Sequence, residues 1–347
     1  MSNQLKDSFG RVLDYLRISV TDRCNLGCIY CMPPEGVEWK PHENILTFEQ
    51  IIRIVNILSE LGIKKIRVTG GEPLLRHGIS WLIKELKSIR AVENTALTTN
   101  GILLGGYLDE ADTACLPDSV NISLNALNSG KYNLITRCGS AQLKQCAQLK
   151  QCAQEHYTHN ILTVIDRLLE KKINVKINCV PMCGINEDEI VSLAALAKDK
   201  DIDIRFIELM PVGCASNLQP VPGAETAQLI EKIFGTLTPF NRVRGNGPAV
   251  YYSLPNFKGK VGFINAVTHG FCENCNRLRL TPEGFLKLCL SNSLGVDLRK
   301  MIREGSSDSS IADAITEAVL KKPRFHTLSD IYCEKEQHRE SMSKIGG

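Results

Sequence analysis

No stretch of this sequence approaches the run of about 18 apolar residues that a membrane-spanning helix needs, so no such span is expected. The first ten residues are polar and lack an apolar centre, which argues against a secretory leader. An excess of one charge is missing too. The 41 Lys and Arg against 38 Asp and Glu leave +3, too weak a field to draw the chain to nucleic acid or a membrane surface. Any anion must therefore be bound by local arginines. One further lack is local: after Cys24, Cys28 and Cys31 the next cysteine is Cys115.

What remains is a chain suited to the cytoplasm, and 347 residues suit one large α/β domain with an appendage, or two domains. Hydrophobic residues at 43% and charged residues at 23% are ordinary for a globular protein. Fourteen cysteines are many. Without a leader, metal or redox chemistry accounts for them better than disulfides do. Six fall into two tight sets, and the rest are scattered and read as ordinary small residues.

The first set is Cys24-Asn-Leu-Gly-Cys28-Ile-Tyr30-Cys31, a C-x3-C-x2-C pattern. Three thiolates on one small loop can hold a [4Fe–4S] cubane, which usually takes four cysteines. One iron then stays open to a small molecule, as in reactive rather than structural metal sites. The alternative is a zinc loop or three unrelated buried thiols, although zinc loops favour C-x2-4-C pairs closed by a second pair. The second set, Cys272-x2-Cys275-x13-Cys289, again has three members, and Cys333 could complete a zinc ribbon. Between them Arg277 and Arg279 stand two apart in a predicted strand and so share a face. They read either as an anion clamp, since guanidinium forks suit phosphate, or as a solvated edge.

Strand-like runs at 15–20, 64–69, 95–99, 119–124, 174–180 and 203–209 alternate mostly with helical patterns. Thr47 with Gln50 three residues on predicts a capping box, Gly62 a helix stop, and Asn186 with Glu189 a second box. Alternation of this kind predicts right-handed βαβ units and a parallel sheet. The cysteine loop, Gly70-Gly71, Thr98-Thr99 and Met210 then all fall at C-terminal strand ends, where parallel barrels place their sites. Gln142-Leu-Lys-Gln-Cys-Ala147 recurs at once as Gln148 to Ala153, and 138–160 reads as an inserted loop. After about 235 the pattern predicts antiparallel strands at 249–254 and 260–266, a hairpin over 277–288 and helices at 296–304 and 310–321.

The first cysteine loop resembles the signature of the radical S-adenosylmethionine (SAM) superfamily. In that superfamily the open iron binds the amino and carboxylate groups of SAM, and an electron from the cluster cleaves it to methionine and a 5′-deoxyadenosyl radical. The larger set resembles the GTP 3′,8-cyclase family, which opens molybdenum cofactor biosynthesis. The match rests on residues 24–33, Arg67-Val-Thr-Gly-Gly-Glu-Pro-Leu-Leu-Arg76, Leu97-Thr-Thr-Asn-Gly101, Arg205-Phe-Ile-Glu-Leu-Met210, Phe271-Cys-Glu-Asn-Cys-Asn-Arg-Leu-Arg279 and the terminal Gly346-Gly347. It implies an incomplete (β/α)6 TIM-like barrel over 1–235 and a C-terminal α+β extension over 236–347 carrying a second Fe–S site. It implies two [4Fe–4S] clusters, one on Cys24, Cys28 and Cys31, the other on Cys272, Cys275 and Cys289. Tyr30, Gly71, Ser123 and Met210 would line the SAM site. Arg17, Arg67, Thr98, Lys176, Arg205, Arg277 and Arg279 would bind GTP, and Gly346 and Gly347 would approach the reacting centre. The implied partners are GTP, an electron donor and a downstream enzyme taking the cyclic product, with no nucleic acid or membrane. The sequence is compatible with a homodimer and does not set the oligomeric state.

One departure stands out: Asn125 follows Ser-Leu where the family usually has Asp, which removes a charge near the implied SAM pocket. Rival readings are another radical SAM enzyme with an auxiliary cluster, such as a peptide-maturation enzyme, and a non-catalytic Fe–S nucleotide sensor.

Overall fold

The computed structural model describes residues 4–138, 157–242, 244–326 and 328. The tandem repeat at 142–153, Cys333, Gly346 and Gly347 lie outside the described residues.

Six strands alternate with helices through the first two thirds of the chain. They are β1 (Tyr15–Ser19), β2 (Lys65–Thr69), β3 (Asn94–Thr99), β4 (Ser119–Ser123), β5 (Asn174–Cys179) and β6 (Asp203–Ile207). The helices are α1 (Phe48–Glu60), α2 (Ile79–Ser88), α3 (Leu104–Glu110), α4 (Ser129–Thr136), α5 (Tyr157–Glu170), α6 (Ile190–Asp199) and α7 (Gly223–Phe234). All six strands run parallel in the order of the sequence, the predicted partial barrel. Each strand is apolar on its outer side: Ile18, Val68, Leu97, Ile122, Ile177 and Ile204 are fully buried against helix residues such as Ile54, Leu58, Leu82 and Leu193. Burying such a side chain is worth about 1.5–3 kcal/mol, which is what holds the helical layer on the sheet.

Local signals set the element ends. Thr47 accepts from the Gln50 amide while the Gln50 side chain accepts from the Thr47 amide, so the predicted capping box forms. Gly62, at φ +104°, takes the left-handed turn that stops α1. The second box does not form. Asn186 is consumed elsewhere: its Oδ1 accepts from Met182 N and its Nδ2 donates to the carbonyls of Asn125 and Val180. The Glu189 carboxylate reaches the Leu127 and Asn128 amides, and α6 starts only at Ile190 after one tight turn. Tertiary partners for both side chains outcompete the local cap.

The C-terminal strands are β7 (Thr238–Pro239), β8 (Val250–Ser253), β9 (Lys260–Ile264), β10 (Arg277–Leu280), β11 (Phe285–Lys287) and β12 (Gly295–Asp297), followed by α8 (Leu298–Arg303) and α9 (Asp308–Leu320). They join the barrel sheet. β9 pairs parallel with β6 at one edge and β10 pairs parallel with β1 at the other. β8 and β11 continue antiparallel outward, giving one sheet of 12 strands among the described residues. Gly284, at φ +89°, closes the predicted hairpin between β10 and β11. Among the described residues no helix is long and apolar enough to cross a membrane.

Candidate active site between the two cysteine sets

The first cysteine loop leaves β1 and is stitched to the turn after β2. Gly71 N donates to the Thr21 carbonyl at 2.7 Å and Glu72 N to the Arg23 carbonyl at 2.8 Å. A Cβ on Gly71 would lie 2.2 Å from the Arg23 carbonyl oxygen, so only glycine lets the turn pack against the residue preceding Cys24. Glu72 is fully buried beneath this turn. Its carboxylate accepts from Leu74 N, Thr99 Oγ1 and Asn100 N at 2.7–3.1 Å. Burial pushes this carboxyl up to about 7 against the pull of those donors. Asn100 Nδ2 in turn donates to Asn25 Oδ1 inside the cysteine loop. Glu72, Asn25 and Asn100 thus lock the loop to β2 and β3. The motif words around Glu72 are visible in the sequence, but its partners are not.

Cys24, Cys28 and Cys31 line one cavity of about 300 Å³ with Tyr30, Gly71, Ser123 and Met210. Cys272, Cys275 and Cys289 line the same cavity. The two sets differ electrically. Burial, helped by the neighbouring Cys28, pushes the Cys24 thiol well up, and burial raises Cys28 to about 11 against a hydrogen bond from Tyr30. At the second set burial also raises Cys275, but Lys322 and Arg277 outweigh it and the thiol is held below its ordinary value. Lys322 is buried and donates to the carbonyls of Arg277 and Leu288. Arg11 donates to the Cys272 carbonyl at 2.6 Å and is itself paired with Asp7. Sequence reading missed Lys322 and Arg11, because each acts on carbonyls far along the chain, 34 and 45 residues away for Lys322 and 261 for Arg11.

Among the described residues, no three His, Cys, Asp or Glu side chains are gathered to chelate a single metal ion. Ligands of a cubane stand on different irons and need not converge in that way. The donor set fits such a cluster: three thiols in each set, with the backbone of the first loop fixed by hydrogen bonds.

Between the two sets lies a row of guanidiniums. Arg17 on β1 is in lateral register with Arg279 on β10 and with Arg67 on β2. Register partners in a parallel sheet share a face and stand one strand spacing apart, about 4.8 Å. All three line the cavity, as do Arg277, Arg205 and Thr98. Burial, then the neighbouring Arg279 and Arg67, force the Arg17 charge well below its usual range. Burial and then Arg277 bring Arg279 to about 10. The Nε atoms of Arg67 and Arg205 and the Thr98 hydroxyl are buried with no hydrogen-bond partner among the described residues. Small residues make room for the cations: Ala96 is the register partner of Arg67, and Gly262 that of Arg205.

Lys176 is placed differently. It does not line this cavity. Its Nζ pairs with Asp203 at 3.2 Å and donates to the Arg244 carbonyl and Tyr251 Oη. Asn125 does line the cavity, beside Ser123.

A profile of the radical SAM superfamily matches residues 18–197, and one described as Molybdenum Cofactor Synthesis C matches residues 202–328. A GTP 3′,8-cyclase of Clostridium perfringens (strain 13 / Type A) is 41% identical, covering 99% of this chain and 100% of that one. The chain belongs to the GTP 3′,8-cyclase family. A second member, from Petrotoga mobilis, is 43% identical over 98% of this chain and 99% of its own. The family is one of radical SAM enzymes in molybdenum cofactor synthesis, so SAM and an Fe–S cluster belong to its chemistry. The fold is shared more widely. Streptococcus suis SuiB bound to S-adenosylmethionine superposes with a TM-score of 0.60 at 13% identity, over 96% of this chain and 78% of that one. That likeness concerns fold alone.

The packing of the cysteine loop yields a direct test. Gly71→Ala should destabilise the apoprotein by about 1–3 kcal/mol, because backbone must move to admit the methyl. Gly106→Ala, in α3 with no atom within 4 Å of the added Cβ, should be neutral or stabilise by up to about 1 kcal/mol. Urea unfolding of both variants measures the contrast, and equal stabilities would show that the Arg23 contact relaxes at no cost.

Proposed function

We propose that this cavity converts GTP to (8S)-3′,8-cyclo-7,8-dihydroguanosine 5′-triphosphate with SAM as the radical source. The observation that carries this reading is the cavity-lining row of Arg279, Arg17 and Arg67 in adjacent register, in the same cavity as the two three-cysteine sets. Like charges in adjacent register repel, and burial removes the water that would screen them. Such a row is offset by a polyanion, and a triphosphate has the matching charge. Arg277, Arg205 and Thr98 extend the set toward ribose and base. Lys176, paired with Asp203, supports the floor of the barrel and reaches GTP only by leaving that partner.

Cys24, Cys28 and Cys31 would hold a [4Fe–4S] cluster, which supplies the electron for SAM cleavage. Tyr30, Gly71, Ser123 and Met210 would form the SAM pocket beside it. Cys272, Cys275 and Cys289 would hold a second [4Fe–4S] cluster facing the guanine. The chain's own work is to fix SAM and nucleotide in one enclosed space and keep water from the reacting carbon. Gly346 and Gly347 would complete that space, since glycine lets backbone come close without a side chain. Residues 1–235 and 236–347 act as barrel and second-cluster region. An electron donor, a downstream enzyme that takes the product, a homodimeric state and a cytoplasmic setting complete the proposal.

Three measurements test it. Iron and sulfide in anaerobically reconstituted protein should approach about eight of each per chain. Replacing Cys24, Cys28 and Cys31 with Ala should leave about half, and stoichiometric zinc on the second set would overturn the two-cluster assignment. Arg279→Ala and Arg277→Ala should each weaken GTP binding by about 1.5–3 kcal/mol while SAM cleavage persists. Calorimetric titration showing unchanged affinity in both would make these arginines a passive edge. Deleting Gly346 and Gly347 should leave both clusters and GTP affinity intact but lower single-turnover product yield at least about tenfold, about 1.4 kcal/mol in the barrier. Wild-type yield from the truncated chain would remove the tail from the mechanism.

A further inference from the structure

Asn121 sits at the centre of β4, fully buried, and does not itself line the cavity. Both ends of its side chain are used, each on another strand. Nδ2 donates to the Leu97 carbonyl of β3 at 3.1 Å. Oδ1 accepts from Nη2 of Arg205 on β6. A carbonyl oxygen only accepts and a guanidinium only donates, so these partners fix which end of the amide is oxygen. Register shows how far the second contact reaches. Asn121 is level with Lys176 on β5 and, beyond it, with Asp203 on β6. Arg205 stands two residues past Asp203, so its side chain reaches back across β5 to meet Asn121. Small residues clear its path. A Cβ on Gly262, its register partner on β9, would come 3.3 Å from Arg205 Cγ, and one on Gly247 would lie 3.8 Å from Nη1. Arg205 lines the cavity while held at Nη2, and its buried Nε has no hydrogen-bond partner among the described residues.

We propose that Asn121 is a positioning residue that aims Arg205 into the cavity and holds it there without cancelling its charge. This rests on the reading of the cavity as the GTP site and names what keeps one of its cations in place. The contrast is with Asp203. That carboxylate lies on the same face of β6, two residues back, and already pairs with Lys176 at 3.2 Å and with Arg244 at 2.8 Å. A guanidinium released from Asn121 can turn toward it and be neutralised. A carboxylate at 121 would keep Arg205 in place but neutralise it there. The neutral amide avoids both results: its hydrogen bond sets the direction, and the positive charge stays available to an anion. Leu97 supplies the second half of the device, because its carbonyl holds the amide with the oxygen end toward Arg205. The residue thus shapes nucleotide binding without touching nucleotide.

The test is a double-mutant cycle on the full-length, anaerobically reconstituted enzyme, read by calorimetric titration with GTP and, separately, with SAM. Arg205→Ala should weaken GTP binding about ten- to a hundredfold, and Asn121→Ala about five- to tenfold. SAM affinity should be unchanged in Asn121→Ala. Adding Asn121→Ala to Arg205→Ala should cost nothing further in GTP affinity, because Asn121 acts only through that guanidinium. An asparagine that merely supports the fold would weaken GTP binding equally in both backgrounds. Additive losses therefore overturn the proposal, as does wild-type GTP affinity in Asn121→Ala. If Asn121→Ala fails to fold, Asn121→Asp, close to the native shape, carries the test. It should bind GTP at least about tenfold more weakly while keeping its SAM affinity, and wild-type GTP affinity in that variant overturns the proposal. Failure of the reading beneath shows differently: wild-type GTP affinity in Arg205→Ala refutes Arg205 as a GTP contact, and the proposal falls with it.

Discussion

The parallel pairing of β10 with β1 is the contact on which the site depends. Strands β1 to β6 on their own would carry the first cysteine loop and the cavity-lining Arg17, Arg67 and Arg205, open at both the β1 and β6 edges. When β10 closes against the β1 edge it places Arg279 beside Arg17 and brings Cys275 and Cys289 into the same cavity as Cys24. Lys322 and Arg11 hold this arrangement from behind through backbone carbonyls of 272, 277 and 288. The C-terminal region thus completes the wall of the barrel it adjoins.

The same contact creates an electrostatic cost. Guanidiniums in adjacent register repel, and the buried Nε atoms of Arg67 and Arg205 have no partner among the described residues. A fold shaped only for stability would put apolar side chains or an acid there. The cost is tolerated because the surrounding apolar layer is large: the outer faces of the strands and the inner faces of α1, α2, α5 and α6 are almost wholly buried. A bound triphosphate, as proposed, would offset this crowding.

The two cysteine loops are held by different physics. At the first, burial dominates and pushes the Cys24 and Cys28 thiols toward the neutral form. The second is flanked by Lys322 and Arg277, which favour thiolate. Backbone hydrogen bonds from Gly71 and Glu72, with the buried Glu72 carboxylate below them, fix the first loop before any cluster enters.

Much was legible without coordinates. Period-two apolar runs and the Thr47–Gln50 box arise within a few residues, and they marked the six barrel strands and α1 to within a residue or two. The cysteine spacings are also local, and they named all six sulfur positions lining the cavity. Arg277 and Arg279 share a face because alternation in a strand requires it. Other features depend on which distant segments meet, and no local pattern encodes them. That β9 and β10 flank the barrel is decided by edge pairing. Asn186 and Glu189 look like a cap from their spacing, but Asn125, Val180 and Leu127 compete for the same atoms and win. That Lys176 stands against Asp203 is likewise visible only in three dimensions. Asn125 reads as a lost charge, and only the structure shows the Val180 amide and the Tyr30 hydroxyl on its side chain. Sequence determined which chemical groups this protein has and roughly where along each strand they face. Tertiary structure decided which of them are spoken for, because a hydrogen bond or ion pair depends on distance in space and not on separation in the chain.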